Sequence, residues 1–409
     1  MTTYSTPAKA LAAVPPRARV YVEGGTGHPL SLIPDLLGRA REAGPLEIVT
    51  SINGPVPSYC LPEEEAYVRV KSFRGTPQVR AALLSGQVDI VPAHLSALPR
   101  LFHGPLRPDV AVVQVSPPDS GGWCSLGASL LYHRSAMEAA AVVIAEVNPR
   151  MPRTFGESMV HASCFTHLVV GEHELVTETT ADPTDRELQV AERIVELVPD
   201  GTTVQVGIGG FATAVMRCLA KRRNLRVHAG LLSDGVMELA RSGALVDENG
   251  AITSGGFIGS AELYEFVADN RQVAMRRVEY THSLEVMRDE PYFVSINSTL
   301  EVDLTGQANA ESIKGVSVSG PGGALDFMRG ASASGGLAIL GLVASSRDRT
   351  RSRIVEALNA PIVVSAPRTD VDVVVTEFGA VDLRGMPLRE RVTALRAVSD
   401  PAVRSGSDA

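Results

Sequence analysis

The 409-residue chain has few cysteines, and none of them belongs to a recognisable metal or redox motif. Cys60, Cys124, Cys164 and Cys218 are scattered, without the CxxC spacing of zinc or disulfide-exchange sites. The nine histidines form no HxH or HExxH pair. We therefore expect reduced, mostly buried thiols and no metal site.

Long apolar segments and long basic segments are also missing. No run of about 18 apolar residues occurs, and the first twenty residues hold no continuous apolar stretch of the kind a signal peptide needs. The formal net charge is −8, and the longest basic run is Lys221-Arg222-Arg223. This balance argues against binding to nucleic acid or to an anionic membrane. We expect a cytoplasmic protein with small-molecule partners.

Nucleotide-binding fingerprints are absent as well. The glycine turn GIGG at 207–210 precedes a predicted helix, whose N-terminus could hold a phosphate. Its spacing fits neither GxGxxG nor GxxxxGK[ST]. A nucleotide hydrolase is therefore a poor interpretation.

What the sequence does contain is an internal repeat, with the second copy offset by roughly 180 residues. In the first copy, the strand-like segment 19–22 leads into glycines and a helix from about residue 30 to 43. In the second copy, the segment 203–206 leads into Gly207, Gly209 and Gly210 and another helix. Each half therefore begins as strand, glycine turn, helix.

Nearly continuous apolar runs at 111–115, 142–146 and 371–376 are typical of strands buried on both faces of a parallel sheet. Their alternation with helices predicts an α/β fold. The polar segment 177–184 predicts a boundary between an N-terminal domain, 1–180, and a C-terminal domain, 185–409. Ligands of such sheets bind beyond the carboxyl ends of the strands, so we expect the two sheets to face a central cleft.

Motifs in both halves resemble one known family. The N-terminal half contains QVSPPDSGGWCSLG (114–127) and IAEVNPRMPRTFGES (144–158). The C-terminal half contains SDGVMEL (233–239), INSTLEVDLTGQ (296–307), GPGGALDFMRGA (320–331) and PRTDVDVVVTEFGAVDLRG (367–385). In this order they resemble the acetyl-CoA hydrolase/transferase family, which includes 4-hydroxybutyrate CoA-transferases.

The resemblance implies two tandem Rossmann-like domains of the CoA-transferase type that hold an acyl-CoA, mostly against the C-terminal domain. Coenzyme A is then the expected cofactor, carried by the substrate, and a homo-oligomer is expected. Gly322 and Gly323 are similar to glycines that lie beside the thioester and help to hold its oxyanion. They could equally form a turn that needs no Cβ, and both interpretations can hold together. The further substrate-binding candidates are Ser116, Gly207, Gly209, Gly230, Asn297 and Gly320.

One departure from the family concerns its nucleophile. The family attacks the thioester with a glutamate in a stretch similar to HSEMFSDG, whereas this chain has HAGLLSDG at 228–235, so that Gly230 takes the glutamate position. We expect Gly230 to leave room for a water or for a nucleophile carried by a second substrate. The nearest other carboxylates in the sequence, Glu238 and Glu262, are not expected to reach this point.

A second departure lies at residues 280–283. Here the family has a Tyr-Val-Asn-Asp-like stretch, and His282 replaces its asparagine. An imidazole can accept a proton near neutral pH, so His282 is a candidate general base. A single histidine in a loop can also be purely structural.

Three functions follow from these departures. The first is acyl transfer from an acyl-CoA to water or to a small-molecule acceptor, without a glutamyl-CoA intermediate and with His282 as general base. The second is a conventional carboxylate CoA-transferase that uses another carboxylate. The third is a CoA-binding pseudoenzyme. The sequence does not identify the acyl group or the acceptor.

Overall fold

The computed structural model describes residues 4–179 and 181–403, which form two compact units. Residues 4–179 and 253–280 belong to the first unit, and residues 181–252 and 281–403 belong to the second. The sequence predicts two continuous domains, 1–180 and 185–409, and so places residues 253–280 in the C-terminal domain. The structure groups these residues with the first unit. The boundaries of the two domains stay a prediction.

The strands are numbered in chain order. They are β1 (Arg19–Val22), β2 (Leu46–Thr50), β3 (Val68–Ser72), β4 (Val88–Ile90), β5 (Val110–Val115), β6 (Trp123–Ser125), β7 (Val142–Val147), β8 (Met159–His161), β9 (His167–Val170), β10 (Thr203–Val206), β11 (Arg226–Leu232), β12 (Ile252–Phe257), β13 (Val273–Met275), β14 (Val294–Ser298), β15 (Glu301–Asp303), β16 (Ala308–Asn309), β17 (Ser312–Ile313), β18 (Val316–Ser317), β19 (Leu337–Gly341), β20 (Ile354–Val355), β21 (Val373–Thr376) and β22 (Gly379–Asp382).

The α-helices are numbered in the same way. They are α1 (Pro7–Leu11), α2 (Ile33–Ala43), α3 (Arg80–Ser85), α4 (Leu98–Phe102), α5 (His133–Ala139), α6 (Asp185–Glu196), α7 (Gly210–Leu219), α8 (Gly235–Arg241), α9 (Ala261–Val267), α10 (Val278–Thr281), α11 (Leu284–Arg288), α12 (Ala324–Ser334) and α13 (Leu388–Ala397).

The first unit is built on a seven-stranded parallel sheet with the order β4-β3-β2-β1-β5-β7-β9. Strand β5 is buried along its whole length, as its apolar sequence predicts. In the second unit the order is β11-β10-β14-β19-β21-β22, parallel up to β21 and antiparallel at the β22 edge. The order β2-β1-β5-β7-β9 thus recurs as β11-β10-β14-β19-β21. The predicted α/β fold with mostly parallel sheets is confirmed.

Backbone hydrogen bonds attach the 253–280 segment to the first unit. The N–H of Leu130 donates to the carbonyl of Gly255 at 3.0 Å, and the N–H of Met275 donates to the carbonyl of Phe155 at 2.8 Å. These bonds pair parts of β12 and β13 with loops of the N-terminal half. A segment distant in sequence therefore completes the first unit.

Helix boundaries follow local sequence signals. Thr184 caps α6 in a capping box with Glu187, so the helix begins at Asp185 where the polar boundary segment ends. Helix α2 begins at Ile33, three residues later than the sequence predicts, with Pro34 in its first turn. Within the described residues, no helix is both long and apolar enough to cross a membrane.

A buried polar cluster lies inside the first unit, around His133 at the start of α5. The Nε2 atom of His133 lies 3.0 Å from the hydroxyl of Ser129, and its Nδ1 atom pairs with the hydroxyl of Tyr21. Glu23 is fully buried beside the ring. Burial lowers the pKa of His133 to about 3 and raises the pKa of Glu23 well above its usual value. His133 is therefore neutral at physiological pH.

The neutral His133 makes the stability of the protein depend on pH. Its pKa is lower in the folded state than in the unfolded state, so its contribution is complete above about pH 6.5 and is lost as the pH falls from there toward 3. Between about pH 7.5 and 5, the titration of this single group should lower the free energy of unfolding by about 2 kcal/mol. In His133→Gln, the free energy of unfolding, measured by urea titration, should therefore fall less over this interval than in the wild type.

The matched control is His103→Gln, because the side chain of His103 is exposed. This variant should keep the wild-type pH dependence. Equal pH dependence in wild type and His133→Gln would contradict a neutral, buried His133.

Candidate active site

Two of the residues that the sequence singles out in the C-terminal half, Gly230 and Gly323, meet at the ring of a third, His282. Gly230 is buried within β11, and a Cβ atom built on it would lie 2.6 Å from Cε1 of His282. A Cβ built on Gly323 would lie 2.2 Å from Nε2 of the same ring. Non-bonded carbon atoms approach no closer than about 3.5 Å without repulsion. The imidazole thus fits between these two positions because both are glycine.

The structure corrects the expectation that Gly230 leaves room for a water or an incoming nucleophile. The imidazole of His282 occupies that space, and Phe327 closes it on another side, with Cε2 3.6 Å from the same built Cβ. The sequence departures at 230 and 282 are therefore two parts of one packing arrangement.

Phe327 and Thr281 fix the orientation of the His282 ring. The ring centroids of His282 and Phe327 are 4.5 Å apart at an interplanar angle of 46°. The Nδ1 atom of His282 lies 2.9 Å from the hydroxyl of Thr281. Nε2 is buried and has no hydrogen-bond partner among the described residues. With the proton on Nδ1, the free lone pair of Nε2 points toward Gly230 and Gly323.

The imidazole of His282 is neutral in this environment. Burial, with a further contribution from the nearby ring of His228, lowers the pKa of His282 to about 3. Its lone pair is therefore available over the whole physiological pH range. A buried polar atom without a partner is costly to a fold and is found preferentially where it has a function.

A second histidine anchors the turn that carries His282. The Nε2 atom of His228, on β11, lies 2.9 Å from the carbonyl oxygen of Thr281, and its Nδ1 atom lies 3.2 Å from Glu290. Thr203 donates a hydrogen bond to the other carboxylate oxygen of Glu290 at 3.1 Å. The pKa of Glu290 is lowered: burial acts to raise it, but the hydrogen bond and charge of His228 outweigh burial. His228 thus connects Glu290 to the backbone of the turn that carries His282.

Gly323 also begins a helix. It is the N-cap of α12, whose first turn has N–H groups without intrahelical acceptors. Gly322 has φ +58°, in the left-handed region that favours glycine, and a Cβ on it would lie 3.9 Å from the carbonyl oxygen of Gly320. The 320–323 loop therefore brings the positive end of a helix dipole to His282.

Gly207 and Asn297 form a neighbouring group at the carboxyl ends of β10 and β14. A Cβ on Gly207 would lie 3.8 Å from Oδ1 of Asn297. The amide of Asn297 donates to Gln205 and to Ser295, both at 2.9 Å. The role of Asn297 in the free protein is therefore to hold this polar cluster in place.

The remaining sequence candidates lie elsewhere. Gly209, with φ +97°, caps the N-terminus of α7, and no atom lies within 4 Å of a Cβ built on it. Ser116 belongs to the first unit, where its hydroxyl accepts a hydrogen bond from the N–H of Ser125 at 2.9 Å. Their assignment as substrate-binding residues stays a prediction.

Four residues around His282 were not singled out by the sequence: Thr281, Phe327, His228 and Glu290. Thr281 and Phe327 adjoin or lie within the motifs at 280–283 and 320–331, so their proximity in sequence was a usable signal. His228 is the first residue of the motif HAGLLSDG at 228–235. No sequence motif points to Glu290. It reaches this group only because the folded chain brings it next to His228 on β11 and Thr203 on β10.

The possible metal ligands and the cysteines are dispersed over the described residues. In the ranges 4–179 and 181–403, no three His, Cys, Asp or Glu side chains are grouped so that they could hold a metal ion. The four cysteines are free thiols, of which Cys164 is exposed and the others are buried.

Comparison with known proteins gives consistent matches. Residues 5–179 match the acetyl-CoA hydrolase/transferase N-terminal domain, and residues 259–406 match the C-terminal domain. The chain is 36% identical over 403 residues to a 4-hydroxybutyrate coenzyme A transferase of Clostridium kluyveri, covering 97% of this chain and 94% of the relative.

Two solved structures are similar over nearly the whole chain. RipA from Yersinia pestis has a TM-score of 0.91 at 29% identity, and a 4-hydroxybutyrate CoA-transferase from Porphyromonas gingivalis has a TM-score of 0.81 at 31% identity. Each match covers 97% of this chain and 94% of the other. Two domain matches in the right order, full-length sequence identity and a shared fold agree: the chain belongs to the acetyl-CoA hydrolase/transferase family of enzymes.

Proposed function

We propose that this protein transfers the acyl group of an acyl-CoA to water or to a small-molecule acceptor, without a glutamyl-CoA intermediate. The observation that carries this proposal is the neutral imidazole of His282, whose unpartnered Nε2 points at Gly230 and Gly323. At that position Nε2 can accept a proton, and the N-terminus of α12 can stabilise negative charge on the thioester oxygen.

The proposed reaction proceeds through one tetrahedral intermediate. His282 Nε2 takes the proton of the attacking O–H, the oxygen bonds to the thioester carbon, and the carbonyl oxygen becomes an oxyanion. When the intermediate collapses, the C–S bond breaks and the proton passes from His282 to the departing thiolate. Free CoA and the acylated acceptor, or the free acid, are the products.

The low pKa of His282 is compatible with this role. An imidazolium on its own is strongly disfavoured in the buried site, but here it would form beside the oxyanion. Opposite charges that arise together at short range in a low-dielectric site stabilise each other. Since Nε2 is buried, a thioester reaches it when the 320–323 loop moves, and three glycines among these four residues make such a movement inexpensive.

A conventional CoA-transferase needs a free carboxylate at the thioester, and two carboxylates of this unit, Glu238 and Glu290, are already engaged. Glu238 pairs with Arg217 at 3.0 Å. Glu290 binds the hydroxyl of Thr203, the first residue of β10, and therefore lies near the amino end of that strand. Substrates of parallel sheets bind at the opposite edge. Borohydride reduction separates the mechanisms, because a glutamyl thioester is reducible and leaves an adduct on the protein.

Replacing His282 tests the proposal directly. In His282→Ala and in the more conservative His282→Asn, release of free thiol from a panel of acyl-CoAs should fall by about 10²- to 10⁴-fold, as expected for loss of a general base. KM should change little. The exposed His103→Ala is the matched control and should keep full activity. Unchanged turnover in folded His282 variants would contradict the role of His282, and CoA binding without turnover in the wild type would indicate a pseudoenzyme.

The pH profile provides an independent test. Because the pKa of His282 is lowered to about 3, its lone pair is free above about pH 4, so kcat/KM should show no acid limb near the ordinary histidine value of about 6.5. The measurement is the rate of thiol release between about pH 5 and 8. An acid limb near pH 6.5 that disappears in His282→Asn would show instead that the imidazole titrates normally.

The contact between Gly230 and His282 predicts strong coupling between the two positions. Gly230→Glu alone should destabilise the protein by at least about 1–3 kcal/mol, because its Cβ would overlap the buried imidazole. In Gly230→Glu/His282→Asn the smaller amide should relieve part of this overlap. Urea unfolding of both single variants and the double variant gives the coupling energy, expected at about 0.5–3 kcal/mol. Additive effects would contradict the contact.

A further inference from the structure

A cavity of about 570 Å³ lies in the second unit, away from the ring of His282. Its wall includes residues that follow β14 and β19, namely Glu301 and Ser346, together with the β17–β18 hairpin residue Lys314. The carboxyl ends of parallel strands share one edge of the sheet. The cavity volume lies in the range of ligand sites, about 300–1,000 Å³.

Three cations at the cavity, Arg353, Arg351 and Lys314, form no side-chain hydrogen bond or ion pair with the described residues. Arg353 is half-buried, yet its guanidinium forms no hydrogen bond and no ion pair with any residue in the ranges 4–179 and 181–403. The exposed side chains of Arg351 and Lys314 likewise form no ion pair with the described residues. A half-buried charge that lacks a partner is costly, so Arg353 marks a place where an anion would be stabilising.

The charges around Arg353 are mixed. Burial lowers the pKa of Arg353 and the positive charge of Arg186 lowers it further, whereas the carboxylates of Glu187, Glu377 and Glu301 act to raise it. Arg186 is itself bound to Glu377 at 2.8 Å and to Ser345. Two guanidinium groups are thus held close enough to repel each other, and the carboxylate that binds one of them leaves Arg353 without a direct partner.

The two carboxylates of the cavity wall have their own hydrogen-bonding or ion-pair partners and make no ion pair with Arg353 among the described residues. Glu356 binds Arg396 at 2.9 Å, and Glu301 accepts a hydrogen bond from Asn309 at 3.2 Å. The loop before Arg353 reads RDRTRSR (347–353), with an arginine at every second position and Asp348 as its one acid. Asp348 accepts hydrogen bonds from Ser346 and Thr350. With four arginines and one aspartate, the loop itself therefore carries an excess of positive charge.

We propose that this cavity binds the phosphate groups of a ligand, with Arg353 as the central contact and Arg351 and Lys314 at the rim. The planar fork of a guanidinium matches two phosphate oxygens, which is why arginine is favoured for this chemistry. A carboxylate ligand would use one such fork, whereas three unpaired cations around one cavity suit a diphosphate or several phosphates.

The position of the cavity agrees with two sources of phosphate. In the order β11-β10-β14-β19, the cavity follows β14 and β19, about 10–14 Å across the sheet from Gly230 on β11. The extended pantetheine arm of an acyl-CoA covers such a distance, so the phosphates could be those of the thioester substrate, an assignment that rests on the proposed function. A separate phosphate-bearing metabolite is the other source.

Calorimetry with the full-length protein tests the site without requiring any turnover. The probes are ADP, inorganic pyrophosphate, coenzyme A and pantetheine, which lacks phosphate. In Arg353→Gln, affinity for ADP and coenzyme A should fall by about 10- to 100-fold, the cost of a charge-assisted contact, and any pantetheine binding should not change. The control is Arg329→Gln, which removes an exposed arginine paired with Asp370 elsewhere in the unit.

A second variant keeps the test informative if Arg353→Gln does not fold. Arg351→Gln/Lys314→Gln changes two exposed side chains and should weaken the same probes while keeping the wild-type melting temperature. Competition between ADP and coenzyme A would assign the cavity to the substrate's phosphates, and simultaneous binding would assign it to a separate ligand. Equal affinity for every phosphate-bearing probe in wild type and both variants would overturn the proposal. Inactivity of the protein, with binding that still depends on Arg353, would refute the proposed function alone.

Discussion

The ring of His282 occupies the space above Gly230 and beside Gly323, so strand β11 and helix α12 approach each other there without any projecting side chain. Packing in a protein interior is dense, and a buried ring excludes every other atom from its volume. This one contact joins the strand, the 281–282 turn and the glycine loop. A change at any of the three positions must be matched at the others.

Electrostatics then determines what the ring can do. His228 and Glu290 hold the turn through the carbonyl of Thr281, and the charge of His228 disfavours a second positive charge nearby. The His282 imidazole is thereby kept neutral with one free lone pair. The same principle operates in the first unit, where His133 is neutral because of burial. There both ring nitrogens have partners, so the group serves stability and has no lone pair to spare.

The reactive group and the anion-binding group proposed for the second unit lie at different places in its sheet. The thioester chemistry proposed for His282 requires a dry site, because burial keeps the imidazole neutral and strengthens the helix dipole of α12. Unpaired arginines would disturb that site if they lay beside it. Arg353 and its neighbours lie several strands away, where a flexible ligand can reach both regions.

The sequence alone determined the class of fold and the family. These inferences rest on local patterns, which can be recognised from the sequence without a structure. The patterns are apolar runs with the length of buried strands, the repeated strand-glycine-helix order and the family motifs. The same patterns identified Gly230, His282 and Gly323 as positions of interest. They did not show that segment 253–280 joins the first unit, because that grouping depends on backbone bonds between residues more than a hundred positions apart. Only the tertiary structure showed that the ring of His282 fills the space above Gly230, that Glu290 supports it from another strand connection, and that Arg353 faces a cavity without a partner. Those facts depend on side-chain volume and burial, which are set by every element that packs around a residue and not by its neighbours in sequence.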